Sequence, residues 1–407
     1  MRDEMKKVPR LRFRGFQEDW ELCKLKEITE RVKGNDGRMD LPTLTISASQ
    51  GWLNQKDRFS GNIAGKEQKN YTLLLKNELS YNHGNSKLAK YGAVFSLKTY
   101  EEALVPRVYH SFKSTKNSDP DFLEYIFATK KPDKELGKLV SSGARMDGLL
   151  NINYDDFSNI KINIPHVHEQ KKISNLLRKI DDTIALHQRK LDQLKELKKA
   201  YLQLMFPKKD ETVPQVRFAD FEDDWQLCKL GDVVEIFDGT HQTPRYTDSG
   251  VKFVSVENIA TLETKKYITH EAYEKEYSKK RAKKGDILMT RIGDIGTMKV
   301  IETDEPLAYY VTLALLKAKE TNPYFLSFII SSPEIQRNIW KRTLHIAFPK
   351  KINLGEINQV EMKITIFEEQ DKIGDLFTNL DDAIILNQNK LNQLKSLKKS
   401  YLQNMFI

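Results

Sequence analysis

The sequence is poor in cysteine and has no long apolar run, and each absence excludes a class of protein. Its two cysteines, Cys23 and Cys228, are too few for a disulfide framework and show no CxxC spacing typical of a zinc site. No stretch approaches the roughly 18 apolar residues of a membrane-spanning helix. The start of the chain carries Asp3 and Glu4 instead of the apolar region of a signal peptide. We therefore expect a cytoplasmic protein with no membrane association.

Catalytic motifs are also missing. No Walker Gly-Lys-Ser/Thr follows the glycines of residues 293–297, and the eight histidines form no HxxxH or HExxH spacing, so neither a nucleotide site nor a metal site is predicted. Residues 321–325 (TNPYF) are comparable to the Asn-Pro-Pro-Tyr loop of adenine methyltransferases, but the second proline and a glycine-rich cofactor loop are absent. Asn322 and its repeat partner Asp119 each precede a proline and an apolar segment, which predicts two helix N-caps. We expect no catalytic residue in this chain.

The charge balance is basic. The chain carries 66 Lys and Arg against 57 Asp and Glu, which gives a net charge of +9 and a pI near 9.1. An excess of this sign favours a polyanionic partner such as nucleic acid.

An internal duplication is the strongest signal in the sequence. Residues 8–34 and 213–239 share 13 identities in 27 positions, and residues 169–206 and 369–406 share 23 in 38 without a gap. A period near 200 residues is too long for a solenoid, so it indicates a duplicated domain pair. Trp20 and Trp225 lie in the shared part, and we predict that both are core residues.

The segments between the shared ends hardly resemble each other. Residues 35–140 and 240–340 have little in common beyond scattered apolar positions, whereas residues 160–164 and 360–364 alternate apolar and polar side chains as strands do. One scaffold therefore carries two different inserts. Such a plan suits a protein that reads two different targets.

Each shared carboxyl-terminal segment predicts a long amphipathic helix. Apolar residues recur at steps of three and four, which is the heptad spacing of a coiled-coil seam. The first copy of the seam comprises Ile173, Leu177, Ile180, Ile184, Leu191, Leu194, Tyr201 and Met205, and the second comprises Ile373, Phe377, Leu380, Ile384, Leu391, Leu394, Tyr401 and Met405.

We expect the two helices to pack against each other as an antiparallel coiled coil, because an internal two-fold axis would place the inserts at opposite ends. Such a spacer suits half-sites about one DNA turn apart, roughly 34–36 Å. His187 and Asn387 interrupt the seams at equivalent positions, as Lys198 and Lys398 do. These polar residues either fix the register or lie solvated at the seam edge.

The duplicated plan resembles the DNA-specificity subunits of type I restriction–modification systems over essentially the whole chain. Residues 164–173 (IPHVHEQKKI) resemble the Ile-Pro-x-x-x-Glu-Gln-x-x-Ile junction of that family, and residues 364–370 (ITIFEEQ) are a second copy without the proline. Residues 238–244 (DGTHQTP) resemble the Gly-x-Thr-Pro loop, with extra residues before Thr-Pro. Residues 285–293 (GDILMTRIG) resemble the Gly-Asp-Ile-Leu strand and its Arg and Gly turn, where the first insert offers only residues 76–84 (KNELSYNHG).

The resemblance implies an α+β fold with two repeated target-recognition domains, each followed by a long helix. The corresponding boundaries are an amino-terminal tail (1–7), recognition domain 1 (8–168), a central spacer helix (169–206), a linker (207–212), recognition domain 2 (213–368) and a carboxyl-terminal spacer helix (369–407). It also implies a non-catalytic subunit that binds double-stranded DNA. Two methyltransferase subunits would carry S-adenosylmethionine, and two restriction–translocase subunits would use ATP and Mg²⁺.

Candidate DNA-binding residues follow from side-chain chemistry within the inserts. Residues 278–284 (SKKRAKK) carry five positive charges, which suit phosphate contacts or a solvated loop. Base edges are read by Arg, Lys, Asn, Gln and hydroxyl side chains, and small residues let the backbone approach DNA closely. The candidates are Asn82, His83, Asn85, Ser86, Lys87, Ser142 and Arg145 in the first insert, and Thr240, His241, Gln242, Thr243, Arg245, Lys279, Lys280, Arg281, Lys283, Lys284 and Arg291 in the second.

Two questions stay open at the level of sequence. The lysines that recur at the helix ends, among them Lys198 and Lys398, suit a solvated face, a phosphate contact or a partner surface. The main alternative function is a structural adaptor whose paired helices assemble other proteins and whose inserts bind protein instead of DNA.

Overall fold

The chain folds into two compact units in the computed structural model, which describes residues 8–59, 65–84, 86–140 and 148–407. Unit 1 comprises residues 1–187 and 390–407, and unit 2 comprises residues 188–389. The carboxyl-terminal part of each long helix therefore belongs to a different unit from its amino-terminal part.

Unit 1 combines short strands with short helices ahead of its long helix. Its strands are Glu21–Lys24, Thr29–Arg31, Leu44–Ser47, Gly51–Asn54, Thr72–Leu75, Leu79–Asn82, Ala93–Ser96, Glu102–Val105, His110–Ser114 and Lys161–Ile164. Its helices are Leu25–Ile28, Gln55–Phe59, the 3-10 turn Gly65–Asn70, Pro120–Ala128, Asp133–Leu139, Tyr154–Ser158 and the start of Val167–Leu204.

Unit 2 repeats this plan. Its strands are Gln226–Lys229, Val234–Asp238, Val251–Val254, Tyr267–Ile268, Ile287–Thr290, Met298–Val300, Leu307–Tyr309, Leu313–Ala318 and Glu361–Ile364. Its helices are Leu230–Val233, the 3-10 turn Val256–Asn258, His270–Tyr277, Pro323–Ser331, Pro333–Arg342, Leu354–Asn358 and the start of Phe367–Asn404.

A four-stranded antiparallel sheet is equivalent in the two units. Leu79 pairs with Phe112 in unit 1 as Ile287 pairs with Leu316 in unit 2. In both units a residue with positive φ precedes the third strand of the sheet, Asn77 at 70° and Gly285 at 88°. The strand order is Thr29–Arg31, His110–Ser114, Leu79–Asn82 and Ala93–Ser96 in unit 1, and Val234–Asp238, Leu313–Ala318, Ile287–Thr290 and Met298–Val300 in unit 2.

The shared residues at the junctions hold each unit together. The Arg12 guanidinium donates two hydrogen bonds of 2.7 Å to the carboxylate of buried Glu169, and Arg217 donates two of 2.8 Å to Glu369. A bidentate pair of this kind fixes orientation as well as distance. The Glu of each Glu-Gln junction therefore anchors the segment that precedes the Trp20 or Trp225 core residue.

The predicted N-caps are confirmed. The side chains of Asp119 and Asn322 each accept a 2.9 Å hydrogen bond from the backbone N–H three residues later. The side-chain oxygens of Gln170 and Gln370 accept from the N–H groups of the same two cap residues, at 3.0 and 2.9 Å. The second residue of each Glu-Gln junction therefore ties a long helix to a capped helix of the insert.

The two long helices run over Val167–Leu204 and Phe367–Asn404, two residues earlier at each start than the predicted spacers, and both end before the predicted bounds. They end early because the following Met-Phe pairs enter a core. Phe406 stacks on Phe122 with 5.2 Å between ring centroids, and Phe206 stacks on Phe377 at 5.7 Å. Trp20 and Trp225 are 1% and 3% exposed beside them, as the sequence predicted.

None of the seam positions from residue 173 to 194 and from 373 to 394 is exposed. Eight are buried, and the four half-buried ones are Ile184, Leu194, Ile384 and Leu394. Asn387 is 6% exposed and donates its amide to the Ala383 carbonyl at 2.8 Å, so it does not lie solvated at the seam edge.

Each unit contains an ion pair between its segments of the two long helices. Lys398 contacts Asp181 at 2.6 Å in unit 1, and Lys198 contacts Asp381 at 2.6 Å in unit 2. Within unit 1, Met405 and Phe406 lie in the same core as Ile173 and Leu177, so the two segments run antiparallel there. The fold is thus the α+β class predicted, with two repeated domains that are each followed by a long helix.

Candidate nucleic-acid interface

Asp238 is the centre of a polar network at the end of a sheet strand in unit 2. Its carboxylate contacts Arg291 Nη1 at 2.5 Å and His241 Nε2 at 2.7 Å, and its backbone carbonyl accepts a 2.9 Å hydrogen bond from Lys280 Nζ. Three of the predicted DNA-binding residues therefore meet at one aspartate. Asp238 itself was not predicted from the sequence, although it opens the DGTHQTP motif.

Arg291, for which the sequence predicted a DNA contact, is largely buried in unit 2. Its side chain is 7% exposed, and besides Asp238 it donates to the carbonyls of Val311 at 3.2 Å and Ile352 at 3.3 Å. These contacts use Nε and both hydrogens of Nη1, three of the five N–H donors, and burial leaves little of the guanidinium accessible to a base edge. Arg291 therefore ties three loops together, and its contact with DNA stays a prediction.

The loop after Asp238 presents the exposed polar groups. His241, Gln242, Thr243 and Arg245 are exposed, whereas Thr240 is 6% exposed and bonds through its backbone to Tyr309 and Val311. Thr240 therefore anchors the loop through its backbone, and its predicted DNA contact stays a prediction. Amide, hydroxyl, imidazole and guanidinium groups on one short loop are the chemistry that reads base edges.

The basic run of residues 278–284 lies beside this loop, as the Lys280 contact to Asp238 requires. Lys279, Arg281, Lys283 and Lys284 are exposed, and Lys280 is half-buried. Arg281 also pairs with Glu274, so it is not a free charge. The exposed lysines suit phosphate contacts.

The loop that precedes helix Leu354–Asn358 in unit 2 joins the same network. The backbone N–H of Gly293 donates to the Lys350 carbonyl at 2.8 Å, and the Ile352 carbonyl accepts from Arg291. This loop was not predicted from the sequence in the second insert. In the first insert the sequence did predict two residues that precede Leu150, namely Ser142 and Arg145, so a polar segment at this point of the chain was the available signal.

His83 occupies in unit 1 the place of Arg291 in unit 2. Its Nδ1 lies 2.6 Å from the Leu150 carbonyl oxygen and its Nε2 lies 2.9 Å from that of Val108, and the side chain is 4% exposed. Both partners are backbone carbonyl oxygens, so the ring is held between two loops. His83 therefore ties loops together as Arg291 does, and its predicted DNA contact stays a prediction.

The other first-insert candidates divide between the interior and the surface. Asn82 is half-buried, and its side chain bonds to the Gly84 N–H at 3.0 Å and the Ile46 carbonyl at 3.3 Å, which holds the turn. Ser86 and Lys87 are exposed. Asn85, Ser142 and Arg145 lie outside the described residues.

A second histidine stacks on His83. The rings of His83 and His110 are 4.9 Å apart and 10° from parallel, and His110 Nε2 bonds to the Ile152 carbonyl at 2.8 Å. Burial, followed by the positive charges of His83 and Arg31, lowers the pKa of His110 to about 4. His110 is therefore neutral at physiological pH and donates from Nε2.

These surfaces offer hydrogen bonding and positive charge. In the described ranges no cluster of His, Cys, Asp and Glu side chains could hold a metal ion. Over the same ranges, no helix combines the length and the apolar character needed to cross a membrane.

Comparisons with known proteins agree with the duplicated fold. The chain is 24% identical over 295 residues to the type I restriction enzyme MjaVIII specificity subunit of Methanocaldococcus jannaschii, covering 68% of each protein. It is also 24% identical over 275 residues to the EcoBI specificity subunit of Escherichia coli, covering 60% of this chain and 57% of that subunit.

A solved structure has the same fold. The S subunit of a type I restriction–modification system from M. genitalium superposes with a TM-score of 0.65 at 14% identity, over 98% of this chain and 99% of that one. The family described as the type I restriction modification DNA specificity domain matches twice, over residues 17–196 and 222–396. With both of its halves matched, the chain belongs to the family of type I restriction–modification DNA specificity proteins.

Proposed function

We propose that this chain reads a bipartite, asymmetric DNA target, with one half-site read by each unit. The observation that carries the proposal is the pair of equivalent sheets that end in different polar groups. The same strand position holds His83 in unit 1 and Arg291 in unit 2, and each side chain bonds to the carbonyl of an equivalent residue, Leu150 or Ile352. Two equivalent surfaces with different chemistry suit two different half-sites.

Exposed groups around Arg291 support DNA as the ligand. Gln242, Thr243 and Arg245 suit base edges in the major groove, and Lys279, Lys283 and Lys284 suit phosphates. Phosphate contacts position the duplex and base contacts specify its sequence. In unit 1 the exposed Ser86 and Lys87 are the corresponding candidates.

The long helices supply the proposed spacer and scaffold. We infer that they form an antiparallel coiled coil whose length sets the separation of the two half-sites. The buried seam positions and the ion pairs Lys398–Asp181 and Lys198–Asp381 support helix pairing.

In this proposal the chain is non-catalytic and assembles with two methyltransferase and two restriction subunits. S-adenosylmethionine would be carried by the methyltransferase subunits, and ATP and Mg²⁺ by the restriction subunits. The chain itself would supply sequence recognition alone.

Mapping of methylated adenines tests the proposal. The chain is co-expressed with the methyltransferase subunits of its system, and methylation is mapped on DNA of random sequence. We expect a single asymmetric motif of two specified blocks separated by an unspecified spacer. Methylation at a continuous motif, or without any motif, would contradict bipartite reading.

Salt dependence separates this proposal from the adaptor alternative. Binding of the assembled complex to duplex DNA should weaken steeply as salt rises, because phosphate contacts release counterions. If the chain were an adaptor whose inserts bind protein, it would add no salt-dependent DNA binding to that of its partner subunits. Substitution of Lys279, Lys283 and Lys284 by Gln should lower the salt slope by about one for each phosphate that is no longer bound.

A further inference from the structure

Unit 2 displays two large apolar side chains on one loop. Ile346 is 99% exposed and Phe348 is 104% exposed, relative to the same residues in an extended chain. Single exposed apolar residues are ordinary on a protein surface, but two that are fully exposed within three residues indicate a partner. We name residues 344–351 the apolar loop.

The base of the apolar loop is held firmly. Leu344 N–H donates to the Lys351 carbonyl at 2.8 Å, and Gly293 N–H donates to the Lys350 carbonyl at 2.8 Å. On one side His345 packs against Trp340 with 4.2 Å between ring centroids, and Lys350 Nζ lies 4.6 Å from the centroid of the same indole. Ile346 and Phe348 are thus presented by a fixed base.

The charged side chains of the loop itself are all basic. Residues 341–351 contain four Lys and Arg residues and no Asp or Glu. Arg342 pairs with Glu356 at 3.1 Å, whereas Lys341, Lys350 and Lys351 are exposed. Apolar side chains flanked by cations suit a polyanion that also offers apolar surface, and duplex DNA offers such surface between its stacked bases.

The apolar loop is also joined to the loop of residues 239–245, which we name the reading loop. Arg291 donates to the Ile352 carbonyl at 3.3 Å and to Asp238 at 2.5 Å, and Asp238 pairs with His241. One buried guanidinium therefore bridges the base of the apolar loop and the start of the loop that carries Gln242 and Thr243. A ligand that contacts the reading loop lies beside the apolar loop.

We propose that Ile346 and Phe348 insert between base pairs of duplex DNA at or beside the half-site read by unit 2. This inference rests on the proposed function. Apolar side chains such as Phe, Ile and Leu act as wedges that partly unstack a base step, while flanking cations hold the phosphates. Pyrimidine–purine steps unstack most easily, so the wedge adds sequence preference at a position where no base edge is hydrogen-bonded.

Fluorescence of 2-aminopurine tests the wedge, because this base brightens when it is unstacked. The probe is the mapped target duplex with 2-aminopurine placed in turn along the unit 2 half-site and its flanks, away from the methylated adenine. The protein is the full chain in complex with its methyltransferase subunits. We expect one step to brighten with the wild-type complex. In the double variant Ile346→Ser, Phe348→Ser this signal should be lost, and affinity should fall roughly tenfold or more.

Controls make the outcome decisive. Leu227→Ser removes another apolar side chain of unit 2 that is 67% exposed, and it should leave fluorescence and affinity unchanged. Phe348→Leu keeps an apolar wedge and should retain most of the signal. Because both wedge side chains are fully exposed, the double variant should melt as the wild type does.

Three results would overturn the wedge. The first is specific binding by the wild type with no brightening at any step outside the methylated base. The second is unchanged affinity and fluorescence in the double variant. The third is a double variant that binds DNA normally but loses binding to anionic phospholipid vesicles or to another subunit, since the loop would then serve that partner. If the wild type shows no sequence discrimination at all, the proposed function fails and the wedge with it.

Discussion

Unit 1 and unit 2 place a buried nitrogen-bearing side chain at the same point of equivalent sheets, but it is His83 in one unit and Arg291 in the other. His83 bonds to the carbonyls of Val108 and Leu150, and Arg291 bonds to those of Val311 and Ile352 and also to Asp238. Among the described residues, the exposed candidates near these positions are Ser86 and Lys87 in unit 1 and His241, Gln242, Thr243 and Arg245 in unit 2. The position is thus used in both units to hold loops, and the residue that fills it varies with the loops that it holds.

The two long helices and their junctions with the inserts, which we name the frame, keep the same residues in both units. Arg12 pairs with Glu169 as Arg217 pairs with Glu369, and Gln170 and Gln370 meet equivalent cap residues. Each of these side chains contacts the junction between a long helix and an insert. Each junction is therefore built from the same Arg, Glu and Gln residues in both units. The candidate DNA-binding surfaces share only the position of one buried side chain that holds loops together, His83 or Arg291, which we name the clamp.

Lengthening of the frame should produce the largest effect. We expect that seven residues inserted into each long helix, after Arg189 and after Asn389, move the half-sites apart by about 10 Å, or roughly three base pairs. A full heptad preserves the seam register. Methylation of the natural target should fall by roughly a hundredfold or more, and mapping should recover both original half-sites with a longer spacer. An unchanged spacer, or a changed half-site, would show that frame and reading surface are not separable.

Removal of the unit 2 clamp should have the next largest effect. Arg291→Ala removes the guanidinium from the Asp238 carboxylate, which keeps its contact with His241, and from the carbonyls of half-buried Val311 and buried Ile352. A buried group that is left unsatisfied costs about 1–3 kcal/mol. We expect discrimination at the unit 2 half-site to fall by roughly a hundredfold, while discrimination at the unit 1 half-site is kept. The measurement is methylation rate on targets with single mismatches in either half.

The mirror variant is the control for that prediction. His83→Leu should relax only the unit 1 half-site, and Arg245→Ala, which removes an exposed guanidinium, should leave the clamp intact. Arg291→Lys should not restore discrimination, because one ammonium cannot reproduce the forked geometry of the guanidinium. Equal loss at both half-sites in either clamp variant would reject independent reading.

Acid should separate the stabilities of the two units. Burial lowers the pKa of His110 to about 4, against 6.5 in the unfolded chain. The unfolded chain therefore takes up the proton first, and the contribution of His110 to stability is present above pH 6.5 and is lost as pH falls toward 4. A shift of this size corresponds to about 3 kcal/mol, and partial exposure reduces it toward about 2 kcal/mol. Unit 2 has Ala314 at the equivalent sheet position.

Hydrogen exchange measures this difference. Exchange of residues 110–114 and 313–318, corrected for the intrinsic rate at each pH, should show acid-dependent opening of unit 1 in excess of unit 2. The excess should disappear in His110→Leu, which carries no titrating ring. An identical excess in that variant would assign the acid sensitivity of unit 1 to other groups.

The sequence predicted the frame well because the frame is duplicated and periodic. Two copies of the Asp/Asn-Pro pattern identified the caps Asp119 and Asn322, and heptad spacing identified seam residues that are all at least half-buried. The clamp was not predicted, because a polar residue that follows a strand has the same one-dimensional signature whether its side chain points outward or spans buried carbonyls. His83 and Arg291 were therefore predicted to be surface groups. The apolar loop was missed because residues such as Phe348 suggest a core, and only the fold shows that it is exposed.

The smallest expected effect concerns the helix lysines, for which the sequence left three roles open. Lys198 and Lys398 form ion pairs with Asp381 and Asp181 and are 26% and 28% exposed. Partly exposed pairs of this kind contribute about 0.5–1 kcal/mol. We expect Lys198→Met to destabilise unit 2 and Lys398→Met to destabilise unit 1 by similar small amounts, measured by hydrogen exchange in each unit. Lys199→Met, at a position where the lysine is 67% exposed, should change neither. Both units have the same ion pair, whereas their half-sites are proposed to differ, so neither variant should alter half-site discrimination. A large loss of DNA affinity at unchanged stability would instead identify these lysines as phosphate contacts.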